Sequence, residues 1–132
     1  MEVQRRGLTI NIDFDGSVVT HSYPLVGKDI GAVPVLKKLV EKGHQLILFT
    51  MRGENSHLLE AVTWFKENDI LLYGINSNPT QRSWTNSPKS HADLIIDDTA
   101  IGCPLIHNWS YSANPYIDWV KMEALLIERN IL

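Results

Sequence analysis

Leu8-Thr9-Ile10-Asn11-Ile12-Asp13-Phe14-Asp15-Gly16-Ser17 is the stretch from which the fold can be read. Its first half is apolar and β-branched, the composition of a buried strand. It then breaks into two carboxylates one residue apart and a glycine. A strand that crosses a core and stops on Asp-x-Asp delivers both acids to one rim of a sheet, while Phe14 turns back into the core. An acid pair in that position calls for a reason, and the chain on either side supplies one.

Downstream, helical and strand patterns alternate. Residues 16–28, with Gly, Ser, His and Pro, are long enough to form a flap over the strand end. Residues 30–42 read as a helix, with Pro34 near the first turn, an apolar stripe of Ile30, Val33, Leu36, Leu39 and Val40, and Gly43 as the stop. Residues 45–50 are apolar on both faces, as parallel strands are. A second helix is expected from a cap at Asn55 or Ser56 to Asn68, with Leu58, Leu59, Val62 and Phe65 inward. A third strand follows over 70–75.

Residues 76–91 show neither period, and a loop of that length in a compact domain is functional or mobile. It carries Arg82, Trp84 and Lys89. Residues 92–96 read as a fourth strand that ends on Asp97-Asp98. A polar, aromatic connection with His107, Trp109 and Tyr111 leads to a C-terminal helix expected to open at Asn114-Pro115. The pattern predicts an α/β fold, a three-layer sandwich around a mainly parallel, Rossmann-like sheet, in a single domain spanning 1–132.

Composition narrows the classes. Of the 132 residues, 44% are hydrophobic and 20% charged, as in an ordinary globular domain. The net charge of −3 gives no basic field, which argues against broad nucleic-acid binding and leaves nucleic acid only as a phosphorylated substrate. The single cysteine, Cys103, excludes an internal disulfide and suits a reducing compartment. No apolar run approaches the ~18 residues of a membrane span. Met-Glu-Val-Gln-Arg-Arg at the start leaves no room for a secretory apolar segment, so the expected compartment is the cytoplasm.

In open parallel sheets ligands bind beyond the carboxyl ends of the strands. Here three strands end on chemistry: Asp13 and Asp15, Thr50, and Asp97 with Asp98. Lys89 lies eight positions before Asp97, in the loop feeding that strand. Four carboxylates in one small volume raise each other's pKa unless a cation sits among them. Oxygen-only ligands favour a hard ion, and a few carboxylates plus phosphate oxygens suit Mg²⁺.

Asp13-Phe14-Asp15-Gly16-Ser17, Thr50, Lys89 and Asp97-Asp98, in that order, resemble the four motifs of haloacid-dehalogenase-like phosphatases, over roughly residues 8–99. The resemblance implies a Mg²⁺-dependent phosphomonoester hydrolase that passes through an aspartyl-phosphate. It makes Asp13 the nucleophile and Asp15 the acid and then base. Thr50 would hydrogen-bond a phosphoryl oxygen, and Lys89 would neutralise charge on the phosphate and Asp13. Asp13, Asp98 and the Asp15 backbone carbonyl would hold the metal with Asp97 as helper, and Gly16, Met51 and Arg52 would contact substrate. The chain departs from the family pattern at Ser17, where Thr or Val is commoner, and at Met51, where a small residue is usual. No insertion is large enough for a cap domain, as in the capless members, whose sites take large substrates or are covered by a neighbouring subunit.

Alone, each motif has a plainer reading: a turn at Asp13-Phe14-Asp15-Gly16, a cap at Asp97-Asp98-Thr99, a solvated Lys89. Arg52 and Arg82 read as surface residues or as clamps for a second substrate anion, and His21 and His91 as structural. The rival functions are a non-catalytic protein of the same fold and a receiver-like phospho-acceptor, although the middle strand ends on Thr50-Met51-Arg52 with no carboxylate to phosphorylate. In the C-terminal helix Ile117, Val120, Ala124, Ile127 and Ile131 form the expected core stripe. Trp119, Met122 and Leu126 make a second apolar row, through which the chain is expected to pair with a second copy.

Overall fold

The computed structural model describes residues 7–53 and 55–132. The expected lead of residues 1–6 into the first strand lies outside the described residues. Four strands, β1 (Thr9–Ile12), β2 (Gln45–Leu48), β3 (Leu72–Ile75) and β4 (Leu94–Ile96), form one parallel sheet in the order β3-β2-β1-β4. Helix α1 (Ala32–Glu41) joins β1 to β2 and α2 (Ser56–Glu67) joins β2 to β3. The cap on α2 falls where the sequence places it, with the Asn55 side chain accepting from the His57 N–H at 3.0 Å. After β4 come a two-stranded antiparallel ribbon, β5 (Leu105–Ile106) and β6 (Tyr116–Ile117), and helix α3 (Trp119–Glu128). Among the described residues no helix is long and apolar enough to cross a membrane.

The two faces of the sheet are covered differently. Ile10, Ile12, Leu46, Leu48 and Ile96 point to one face and join one apolar cluster with Leu36 and Leu39 of α1, Phe65 of α2 and Trp119 and Leu126 of α3. The alternate residues Asn11 and Ile47 are equally buried but face the other way. There the cover is the 76–91 segment, which holds one 3₁₀ turn, Gln81–Ser83. A Cβ on Gly74 would lie 2.4 Å from the Ser77 carbonyl and 3.1 Å from Pro79, so the glycine lets that segment lie directly on β3. Asn11 Nδ2 ties the far end of the segment down by donating to the Ser90 carbonyl at 3.2 Å.

Three expectations are corrected. Leu59 is exposed, because the inward row of α2 is Leu58, Ala61, Val62 and Phe65 and Leu59 lies a quarter-turn away. The C-terminal helix does not open at Asn114-Pro115. Pro115 precedes β6, and Asp118 is the cap, accepting from the Lys121 N–H at 3.0 Å. With Ile117 in the strand, the helical period counts from Trp119, and the rows exchange places within the helix, while Ile117 and Ile131 of the expected core stripe, outside the helix, are buried as expected. Trp119 and Met122 are buried, while Val120 is 83% exposed and Ile127 is exposed too. The row assigned to a second copy is therefore the core row.

Candidate functional site

Strand order runs outward from β1 through β2 to β3 and then returns to the other side of β1 with β4. A reversal of this kind opens a crevice at the carboxyl ends of the two strands flanking it. Ile12 is level with Ile96 in the register, and the ladder continues one step further, the Asp13 N–H donating to the Ile96 carbonyl at 3.0 Å. That bond sets Asp13 beside the two acids that follow Ile96. One carboxylate oxygen from each of Asp13, Asp97 and Asp98 lies within 4.8 Å of the others.

A tight turn holds this cluster. The Ser17 hydroxyl lies 2.8 Å from Asp13 Oδ2 and 3.1 Å from Asp98 Oδ1, and its single proton serves one of them at a time. The same oxygen accepts from the Asp98 N–H at 3.0 Å. Gly16 has φ +82°, and a Cβ there would lie 2.5 Å from Asp98 Oδ2. Glycine is what lets the turn and Asp98 approach. Gly16 is itself buried and lines no part of the cavity, so the expectation that it contacts substrate is corrected: it is a spacer. The C-terminal elements clamp the turn from behind. Ile117 N–H donates to the Gly16 carbonyl at 3.1 Å and Trp119 Nε1 to the Ser17 carbonyl at 2.8 Å.

Burial, the largest cause, raises the pKa of Asp13 to about 7; the charge on Asp97 and the contact with Asp98 add to it, and the Ser17 bond opposes it. Asp98 is raised as well, again chiefly by burial, with the bonds to Asp13 and Ser17 opposing and Asp97 adding. Asp97 is half-buried, and its Oδ1 is taken by the Thr99 N–H and hydroxyl at 2.9 and 2.8 Å, the turn cap anticipated as its plainer role.

The cavity above the cluster has a volume of about 460 Å³. Asp13, Asp15, Thr50, Arg52, Asp97 and Asp98 all line it, with Met51, His21 and Tyr23 at its mouth. Thr50 Oγ1 accepts from the Arg52 N–H at 3.2 Å, which leaves its own O–H to donate. Arg52, read from sequence as a surface residue or substrate clamp, is 2% exposed. Its Nε and Nη2 reach the two oxygens of Asp15 at 2.9 and 2.8 Å. Asp15 lies outside the three-carboxylate group, its side chain committed to Arg52 rather than to a metal.

Lys89 is not brought into this cavity. It is exposed and lines a different one, of about 290 Å³, together with Trp84 and His91 on the second face of the sheet. The reason is in the backbone. The buried Gln81 amide donates to the carbonyls of Ser87 and Lys89 at 2.9 and 2.7 Å and accepts from the His91 N–H at 2.7 Å, fixing that stretch. Arg82 is exposed and also lies off the cavity lining. Sequence reasoning missed the roles of Ser17, Arg52 and Trp119. The residue two places past Thr50 was the available sign for Arg52, but nothing local marks its partners.

The assembled groups are two carboxylates one residue apart, a hydroxyl free to donate, and three carboxylates close enough together that they could hold a cation. No family model matches the chain. No curated protein matches it either. A solved structure, that of a conserved protein from Bacteroides thetaiotaomicron, is similar to it at 38% identity, covering 80% of this chain and 85% of that one with a TM-score of 0.68. The chain belongs to the family of that conserved Bacteroides protein.

Proposed function

We propose that the chain is a Mg²⁺-dependent phosphomonoester hydrolase of the haloacid-dehalogenase-like kind, working through an aspartyl-phosphate on Asp13. The observation that carries this reading is the convergence of Asp13, Asp97 and Asp98 at the reversal of strand order, oxygens within 4.8 Å. The donor set fits a hard cation: one carboxylate oxygen from each of Asp13, Asp97 and Asp98 converges, and no nitrogen or sulfur donor is among them. Asp13, Asp98 and Asp97, with the Asp15 carbonyl, would hold it. Bound there, Mg²⁺ neutralises the acid cluster and the phosphoryl oxygens.

The rest is done by the chain. An oxygen of Asp13 forms a bond to phosphorus as the ester P–O bond breaks. Asp15 gives a proton to the leaving oxygen, then takes one from the water that attacks the aspartyl-phosphate and returns Asp13 to its free form. Since both Asp15 oxygens accept from Arg52, one of those bonds opens when Asp15 carries its proton. The Thr50 hydroxyl donates to a phosphoryl oxygen. Lys89 has no part in this scheme.

The paired Asp15 and the distant Lys89 favour a second reading, a phospho-acceptor that keeps the Asp13 step and lacks turnover. One experiment separates the two. Hydrolysis of p-nitrophenyl phosphate with Mg²⁺, lost in EDTA, together with a beryllofluoride adduct at Asp13, supports the hydrolase. An adduct without turnover supports the acceptor, and neither result is compatible with no Mg²⁺ binding at all.

A further inference from the structure

Arg52 lines the candidate cavity and is 2% exposed. Four carboxylates line the cavity, Asp13, Asp15, Asp97 and Asp98, and among the described lining residues Arg52 is the one Lys or Arg. A buried guanidinium beside a phosphate site would ordinarily be read as a clamp for a second anion. Here its donors are already committed. Two go to Asp15, Nη2 also donates to the Leu25 carbonyl at 2.9 Å, and Nη1 donates to the His57 carbonyl at 3.0 Å and to Pro24 at 3.4 Å. Its faces are occupied too, by the ring of Phe14 at 4.9 Å and that of Tyr23 at 5.2 Å. All these partners belong to the protein, so no donor remains for a ligand. Around the mouth stand Met51, 98% exposed, with half-exposed Tyr23 and His21, groups that meet an apolar or aromatic surface.

We propose that this cavity selects phosphomonoesters whose remainder is neutral or cationic and turns away those carrying a second anion, an inference that rests on the hydrolase reading. A divalent cation held by three carboxylates has no positive charge to spare once one phosphate has joined it. A further negative group would then face Asp15 and Asp97 within the same cavity of about 460 Å³, with no uncommitted Lys or Arg among the described lining residues to receive it.

The probes are 2-aminoethyl phosphate, propyl phosphate and phosphoglycolate, similar in size and differing in the charge of the remainder. Their affinities for the Asp13→Asn variant with Mg²⁺, by calorimetry at about 20 mM salt where screening is weak, should fall in that order. Phosphoglycolate should be weaker than the cationic ester by about tenfold or more, with the gap narrowing as salt is raised. The kcat/KM order of the wild type should match, a reading that does not depend on the variant folding. Equal affinities, tightest binding of phosphoglycolate, or no binding of any ester would overturn the proposal. Wild-type protein that hydrolyses none of the three, while Asp13→Asn keeps the order of affinities, would remove the hydrolase reading and leave the charge preference standing.

Discussion

The strand-end cluster and the 76–91 loop both carry residues that the four-motif pattern assigns to one site, and only the first is where that pattern puts it. Asp13, Asp97 and Asp98 leave paired strands at the same level, so the ladder bond from Asp13 to Ile96 fixes their spacing before any side chain is chosen. Lys89 leaves a loop whose course is set by Gln81 and Asn11, and it ends on the second face of the sheet. Register carries a residue to a site reliably, whereas a position in a loop does so only if the loop's own hydrogen bonds agree.

The largest effects should come from the cluster. Asp13→Asn should lower turnover by about three orders of magnitude or more, since an amide cannot form the acyl-phosphate. Asp15→Asn should also stop turnover while still permitting the beryllofluoride adduct at Asp13, detected by intact mass or ¹⁹F NMR. A covalent label on Asp15 or Asp98 would break the assignment of the nucleophile to the strand-end ladder.

Next in size is Gly16→Ala. A left-handed backbone costs a non-glycine residue about 1–2 kcal/mol, and the new methyl would displace Asp98, whose Oδ2 lies 2.5 Å from its position. Mg²⁺ affinity should fall by at least about tenfold along with stability. Gly53→Ala is the control, because its Cβ would meet Asn55 at an ordinary 3.7 Å. If Gly16→Ala binds Mg²⁺ as the wild type does, the turn is not what holds Asp98 in place.

These contrasts explain what could be read beforehand. The alternation Ile10, Asn11, Ile12 and the run Leu94-Ile95-Ile96 define strands, and acids that directly follow strands are located as soon as the strands pair. Helix α3 misled because a proline opens helices and also precedes strands, and because a two-residue strand such as β6 leaves no period to detect. The state of Arg52 was illegible for another reason. Its partners, Asp15, Pro24, Leu25 and His57, come from three separate segments, and only their convergence shows that the guanidinium is spent. A lone arginine two places past a strand-end threonine carries no sign of that.

Lys89→Met tests the loop side of the comparison, and a smaller effect is expected. With its side chain in a separate cavity, its loss should change kcat/KM by less than about tenfold, against the three orders for Asp13. A hundredfold loss at unchanged Tm would mean that the loop delivers Lys89 to Asp13 in the complex with substrate, and the distinction between the two regions would not survive substrate binding.

The smallest effect is on stability without metal, and its sign follows from Asp13. The folded chain holds that proton up to about pH 7, against 3.8 for an unperturbed aspartate. A group whose pKa is raised by folding contributes stability that is fully present below the unfolded value and is lost as pH rises through the folded one. The metal-free protein should therefore lose Tm steadily between about pH 4.5 and 7.5, and Mg²⁺ at pH 7.5 should restore it. Asp98→Asn removes a charged neighbour and should raise the metal-free Tm at pH 7.5, flattening the profile. Lys89→Met should leave the profile as it is. Differential scanning calorimetry of the three proteins in EDTA reads all of this directly. A metal-free Tm that falls in Asp98→Asn would show that Asp98 serves the turn through its bonds to Ser17 more than it crowds Asp13, and the cluster would then be a structural cap rather than a seat prepared for a cation.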